Sequence, residues 1–196
     1  MSKKNCSKNL NNPDKLYKLK MLMHVCCANC AIHPLNILKD KFDITMYFYN
    51  PNIHPEEEYQ KRLSNAEKVS RITKIPLITG NYIHDLKKWF KLTEKLKDLP
   101  EGQERCNKCF KIRLEKTALF AKKNGFDIFT TTLTISPHKN QQTINAIGNE
   151  ISQKFDISFF IADFKKQDGF KKTMQLAKEL KIYRQNYCGC LYSIRK

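Results

Sequence analysis

A Rossmann-like, doubly wound α/β domain built on a parallel sheet is the fold class that the sequence predicts, on three observations. Short apolar runs of strand length alternate with longer segments of helical periodicity, in the order βαβαβ and then αβαβα. The first strand-like run ends in a cysteine-rich turn that leads into a helix, at the place where open α/β folds gather their chemistry. No run approaches the length of a membrane-spanning helix, and the longest apolar stretches, such as Phe159-Phe160-Ile161-Ala162, are strand-sized.

In order, the strand-like runs are residues 20–25, 44–49, 77–79, 128–133 and 157–161. Their near-continuous apolar character suits strands covered by helices on both faces. Helical segments fall between them at about 31–39, 55–73, 106–124, 140–154 and 170–180. Gly125 stands where the C-terminal cap of the third helix belongs. Residues 82–105, with Trp89-Phe90 and the loop Pro100-Glu101-Gly102, interrupt the alternation and read as an insertion that covers the site. No internal repeat or low-complexity linker divides the chain, and 196 residues suit one domain. The expected organisation is a basic flexible tail, 1–19, followed by a single catalytic α/β domain, 20–196.

Chemistry enters with the cysteines. There are eight, and apart from Cys6 they form three tight clusters: Cys26, Cys27 and Cys30 after the first strand, Cys106 and Cys109 heading a helix, and Cys188 and Cys190 near the end. Free cysteines are often small buried hydrophobes, and disulfides are another use for such a set. The first twenty residues contain no apolar h-region, so the chain is expected to be cytoplasmic, where thiols stay reduced and serve metals or redox chemistry. Seven thiolates exceed the four that one tetrahedral zinc takes. An iron–sulfur cluster with a further metal or a redox dithiol uses them better. At Cys106 and Cys109 the helix dipole favours thiolate, and Gly189 lets the last pair turn towards one centre. The polar and aromatic residues 182–186 before that pair are expected to pack back beside the first loop.

The second strand runs into Tyr49-Asn50-Pro51-Asn52-Ile53-His54-Pro55 and the fourth into Thr134-Ile135-Ser136-Pro137-His138-Lys139-Asn140. Both loops fall on the cysteine edge of the sheet. The second could cradle phosphate or the polar groups of a nucleotide, while Ser-Pro and Asn are equally ordinary helix starts. Lys and Arg number 36 against 19 acidic residues, a formal charge of +17. That excess favours a polyanionic partner, nucleic acid first, although Lys, Asn and Ile abound together as a proteome-wide drift would also produce.

Together these motifs resemble a known family. The strings HVCCANC, FYNPNIHPEEEYQKR, RCNKC at a helix start, TTTLTISPHKN and IYRQNYCGC, in this order, are similar to those of the cobalamin-independent epoxyqueuosine reductases, the QueH family, over residues 20–194. The resemblance implies a fold like that of the adenine nucleotide α-hydrolase (HUP) group. It also implies a [4Fe–4S] cluster next to a mononuclear iron, and reduction of epoxyqueuosine to queuosine at the wobble position of tRNA. Cys26, Cys27 and Cys30 stand where nucleotide-using members of that fold group grip phosphate. Family members carry Asp in place of Cys30, so that position looks like a variable metal ligand.

Turning an epoxide into an alkene removes oxygen as water and needs two electrons and two protons. An iron with an open position can take the oxygen as a Lewis acid while a cluster passes electrons supplied by an unidentified donor. Proton-donor candidates are His24, His138, Tyr187 and water. Asn50, Asn52, Ser136, His138, Lys139, Asn140 and Arg184 are the candidate contacts to tRNA or its nucleoside. The expected division of ligands gives Cys27, Cys106 and Cys109 to the cluster and Cys26, Cys30, Cys188 and Cys190 to the single iron, with Cys26 and Cys27 interchangeable. Two other classes remain: an iron–sulfur tRNA thiolation enzyme, which should need a phosphate-gripping first loop, and a zinc-stabilised nucleic-acid-binding module, in which His24 could complete a second four-ligand site.

Overall fold

The computed structural model describes residues 18–194. The predicted basic tail as far as residue 17, with Cys6, lies outside the described residues. Five strands form one sheet: β1 (Lys20–His24), β2 (Asp43–Phe48), β3 (Leu77–Thr79), β4 (Ile128–Thr131) and β5 (Ser158–Phe159). The order is β3-β2-β1-β4-β5 and every pairing is parallel. Six helices connect and cover it: α1 (Ala28–Leu38), α2 (Glu56–Thr73), α3 (Tyr82–Thr93), α4 (Glu104–Lys123), α5 (Gln141–Phe155) and α6 (Gly169–Glu179).

The period of two in β1 divides the core. Met21, Met23 and Val25 belong to one apolar layer with Ile32 and Leu35 of α1 and Val69 of α2. Leu22 joins the other, with Leu114 and Ala118 of α4 and Ile144 and Ile151 of α5. Successive strand side chains point to opposite faces, so a run apolar at every position needs helices on both.

Three differences from the sequence expectation bear on the site, besides a β5 shortened to Ser158–Phe159. Helix α1 starts at Ala28, three residues early, which puts Cys30 inside its first turn. Strand β4 stops at Thr131, because the Thr131 hydroxyl accepts from the Leu133 N–H at 3.2 Å and winds Thr132–Ile135 into a 3-10 turn. The insertion contains a helix, α3, which starts where the Asn81 side chain accepts from the His84 N–H at 3.0 Å. Neighbours β1 and β4 leave the sheet towards opposite sides, β1 into α1 and β4 towards α5. This is the topological switch point, and a crevice opens there at the carboxyl edge.

Candidate metal centre and substrate cavity

The β1–α1 turn carries the first thiols. Cys27 is the extended residue before α1, without a side-chain cap bond, and Cys30 lies one turn on. The sulfurs of Cys26, Cys27 and Cys30 lie within 4.8 Å of one another, close enough to share one ion. Around them, the Cys26 N–H donates to the Thr132 hydroxyl at 3.3 Å, and the Gln185 side-chain amide donates to the Cys27 sulfur at 2.9 Å. The triad lines a cavity of about 630 Å³ with Asn29, Asn50 and Lys139, a volume suited to a small molecule or one nucleoside.

The remaining four thiols meet elsewhere. Cys106, Cys109, Cys188 and Cys190 line one smaller cavity, closed by Trp89 and Phe110. The N–H of Gly102 donates to the Cys106 sulfur at 3.1 Å. Cys188 also lines the larger cavity, so the two spaces adjoin. Gly189 holds the Cys188–Cys190 turn at φ +99, and a Cβ there would stand 2.9 Å from Ile53. Arg62, buried in α2, pins the turn by donating to the carbonyls of Tyr187 and Cys188 at 3.1 Å each while Glu58 holds its Nε at 2.7 Å. The preceding segment packs beside the first loop as expected, with Asn29 donating to the Tyr183 carbonyl at 2.9 Å. The insertion closes the second cavity as well: Arg105 anchors it to the carbonyls of Lys97 and Leu99, and Trp89 stacks on Tyr192. The sulfurs of Cys26, Cys27 and Cys30 thus group together as a triad, while Cys106, Cys109, Cys188 and Cys190, the tetrad, are four lining residues of one cavity.

Other predicted residues separate into those at the cavities and those that hold loops. His24 is fully buried and lines neither cavity. Its Nε2 lies 3.1 Å from the Tyr49 carbonyl and must donate, so Nδ1 accepts from the Thr131 hydroxyl at 2.9 Å. Burial, then the Arg113 charge, push its pKa down to about 3, so it ties β1 to its neighbours as a neutral ring. Tyr187 lines the larger cavity, but its hydroxyl donates to the His54 carbonyl. Asn140 lines the smaller cavity with its side-chain oxygen occupied in capping α5. Asn50, Asn52, Ser136 and Arg184 line the larger cavity, and His138 and Lys139 line both. Disulfide bonding, the alternative use of the thiols, is absent: all seven described cysteines are free, and the Cys26 and Cys27 sulfurs sit 3.9 Å apart, about twice a bonded length.

The electrostatics favour thiolate at one cysteine of each group and oppose it at others: hydrogen bonds with neighbouring thiols and burial raise Cys27, Cys30 and Cys190, and burial raises Cys106 against the expectation from its helix start. Hydrogen bonds from Cys27 and Cys30 hold the Cys26 thiol well below its usual pKa against the cost of burial, with help from the charges of Lys139 and Arg113. A hydrogen bond from Cys190 lowers Cys188 to about 6. Burial opposes the charge of Lys139, yet the thiols Cys26, Cys188 and Cys30 outweigh it and raise its pKa. Sulfurs with hydrogen-bond donors and cations around them are the donor set that iron, iron–sulfur clusters and zinc take. Spacing missed Arg62, Arg113, Asn29 and Gln185. Only Arg113 left a signal, one helical turn beyond Cys109 on the same stripe as Cys106.

A doubly wound α/β domain with three grouped thiols at its switch point and four more lining the adjoining cavity is a thiol-rich member of its fold class, with sulfurs placed where they could hold a metal ion. A solved structure of the U34-tRNA thiolase NcsA from Methanococcus maripaludis with its [4Fe-4S] cluster shares that fold, with a TM-score of 0.57 at 14% identity over 94% of this chain and 64% of that one. The family model for epoxyqueuosine reductase QueH matches residues 21–196. Proteins named epoxyqueuosine reductase QueH from Streptococcus pyogenes serotype M1 and Thermotoga maritima are each 40% identical to it, over 89% of this chain and 70% and 90% of their own lengths. The chain belongs to the epoxyqueuosine reductase QueH family.

Proposed function

We propose that this protein is an oxidoreductase that reduces epoxyqueuosine in the tRNA anticodon to queuosine, acting in the cytoplasm with electrons from a separate donor. Family membership over nearly the whole described chain is the observation that carries this reading. The tetrad Cys106, Cys109, Cys188 and Cys190 would hold a four-iron cluster, and Cys26, Cys27 and Cys30 a single iron. Supporting this division, the four tetrad cysteines line the same smaller cavity, whereas the triad faces the larger one and three protein ligands leave a position for substrate. Bound there, the two centres would supply electrons and a Lewis acid for the epoxide oxygen.

The chain's own residues do the rest. The larger cavity receives the extruded nucleoside, and its buried amides Asn29 and Asn50 each present a side-chain oxygen with no partner among the described residues. Those oxygens suit the N–H and O–H donors of a modified guanine-type nucleoside. Lys139 places an ammonium between the two cavities, 3.5 Å from the Ser136 hydroxyl, where it offsets negative charge on substrate oxygen. His138, at the rim of both cavities, and water are the proton donors that remain, since the His24 ring is buried and the Tyr187 hydroxyl is bonded.

Anaerobic reconstitution tests the assignment. About five irons per chain with labile sulfide are expected, together with conversion of epoxyqueuosine-containing tRNA when a chemical reductant is supplied. Stoichiometric zinc without sulfide would return the chain to a zinc-stabilised binding module.

A further inference from the structure

Three arginines lie buried around the thiols, and they are not equivalent. Arg62 has Glu58 as its counter-charge and two carbonyls to bond. Arg105 donates to backbone carbonyls of the insertion. Arg113 is 3% exposed and, among the described residues, pairs with no carboxylate. Its Nη1 donates to the Asn52 side-chain oxygen at 3.2 Å and to the Cys109 sulfur at 3.7 Å, while Nε and Nη2 have no partner among the described residues. It lines both cavities; the one carboxylate that also lines both, Glu101, is exposed and forms no ion pair with it. A permanently charged guanidinium buried without an anion is strongly disfavoured, so the folded protein must bring a net negative group to it. Two neighbours can carry such charge: Cys26, whose thiol pKa Arg113 helps to lower, and the tetrad, whose Cys109 sulfur Arg113 touches and whose four thiolates around a four-iron core would keep a net negative charge in either of its common oxidation states.

We propose that Arg113 is the counter-cation of the cysteine tetrad, donating to the Cys109 sulfur and raising the reduction potential of the cluster bound there. This rests on the reading of the tetrad as cluster ligands. A cation and a hydrogen bond at sulfur both stabilise the more negative, reduced form, which makes the cluster easier to charge with an electron. Arg113 acts through the thiolate and is a positioning residue.

The test is a potentiometric titration of anaerobically reconstituted wild-type protein, Arg113→Gln and Arg113→Lys, with iron and sulfide assayed in each. The expected result is cluster retained in all three, with the midpoint displaced to more negative potential in Arg113→Gln and lying between the two in Arg113→Lys. If Arg113→Gln takes up no iron, Arg113→Lys decides: retained iron with a potential below wild type supports the inference. An unchanged potential in the variant that carries the test overturns it, and weakened tRNA binding alongside an unchanged potential would make Arg113 a phosphate ligand instead. Failure of the wild-type chain to hold any cluster overturns the function reading and this inference with it. A wild-type cluster whose potential ignores position 113 overturns the inference alone.

Discussion

Cys30 occupies the first turn of α1 because the helix begins right after Cys27, and that brings its sulfur into one triad with Cys26 and Cys27. Its neighbours hold its thiol pKa well above the usual value, hydrogen bonds with Cys26 and Cys27 first and burial after them. In the free triad it therefore holds its proton more firmly than Cys26 does. A carboxylate can replace a thiolate on a single iron but serves a cubane corner poorly. Cys30→Asp is accordingly expected to keep the cluster absorption and much of the activity, while Cys106→Ala and Cys109→Ala lose the absorption. The visible spectra of the three reconstituted variants check this; loss of the cluster in Cys30→Asp with retention in Cys109→Ala would reverse the assignment. The three thiol clusters were legible from their spacing, but His24 was not legible as a strut. Adjacency to Cys26 in the chain says nothing about where a ring points, and alternation along β1 turns it towards Tyr49 and Thr131.

At the scale of elements, the C-terminal turn is held by a helix far from it in the chain. The Arg62 fork on α2 bonds two successive carbonyls of the turn, with Glu58 one helical turn earlier as its counter-charge. Removing one member of such a pair leaves the other carboxylate buried and two carbonyls unmet. Arg62→Ala should destabilise the metal-free protein by about 3 kcal/mol, a fall in Tm of roughly 6–12 °C. Iron uptake should fall as well, because Cys188 and Cys190 lose their position. Thermal unfolding followed by circular dichroism, with iron assay after reconstitution, measures both. The string PEEEYQKR shows a helix with an acidic first turn, yet nothing local to it shows that Arg62 faces inwards to a segment more than a hundred residues later.

For the whole molecule, the formal charge of +17 predicts how tRNA is held. If phosphate contacts dominate, affinity falls with salt in proportion to their number, and about three contacts weaken binding roughly twenty- to forty-fold for a four-fold rise in salt. Filter binding of substrate tRNA across such a salt series is expected to show this slope. Binding indifferent to salt would mean that the lysine excess is compositional drift. None of the helices among the described residues is long and apolar enough to cross a membrane.

The sequence by itself determined the alternation of elements, the five ordered motifs and the three thiol clusters, since each is written in residues close along the chain. Periodicity and turn chemistry are local, so strands and long helices such as α2 and α4 were legible to within a few residues. Tertiary structure alone decided which thiols meet. His24 of β1 and Thr131 of β4 touch although they are 107 residues apart, because the strand order puts β4 beside β1. The same order brings the Cys106–Cys109 helix start and the last turn to one cavity and leaves Cys27 in the other. Burial decided the rest: Arg113 reads as one more basic residue on an amphipathic helix until packing removes water from it, and only then does its charge require an anion.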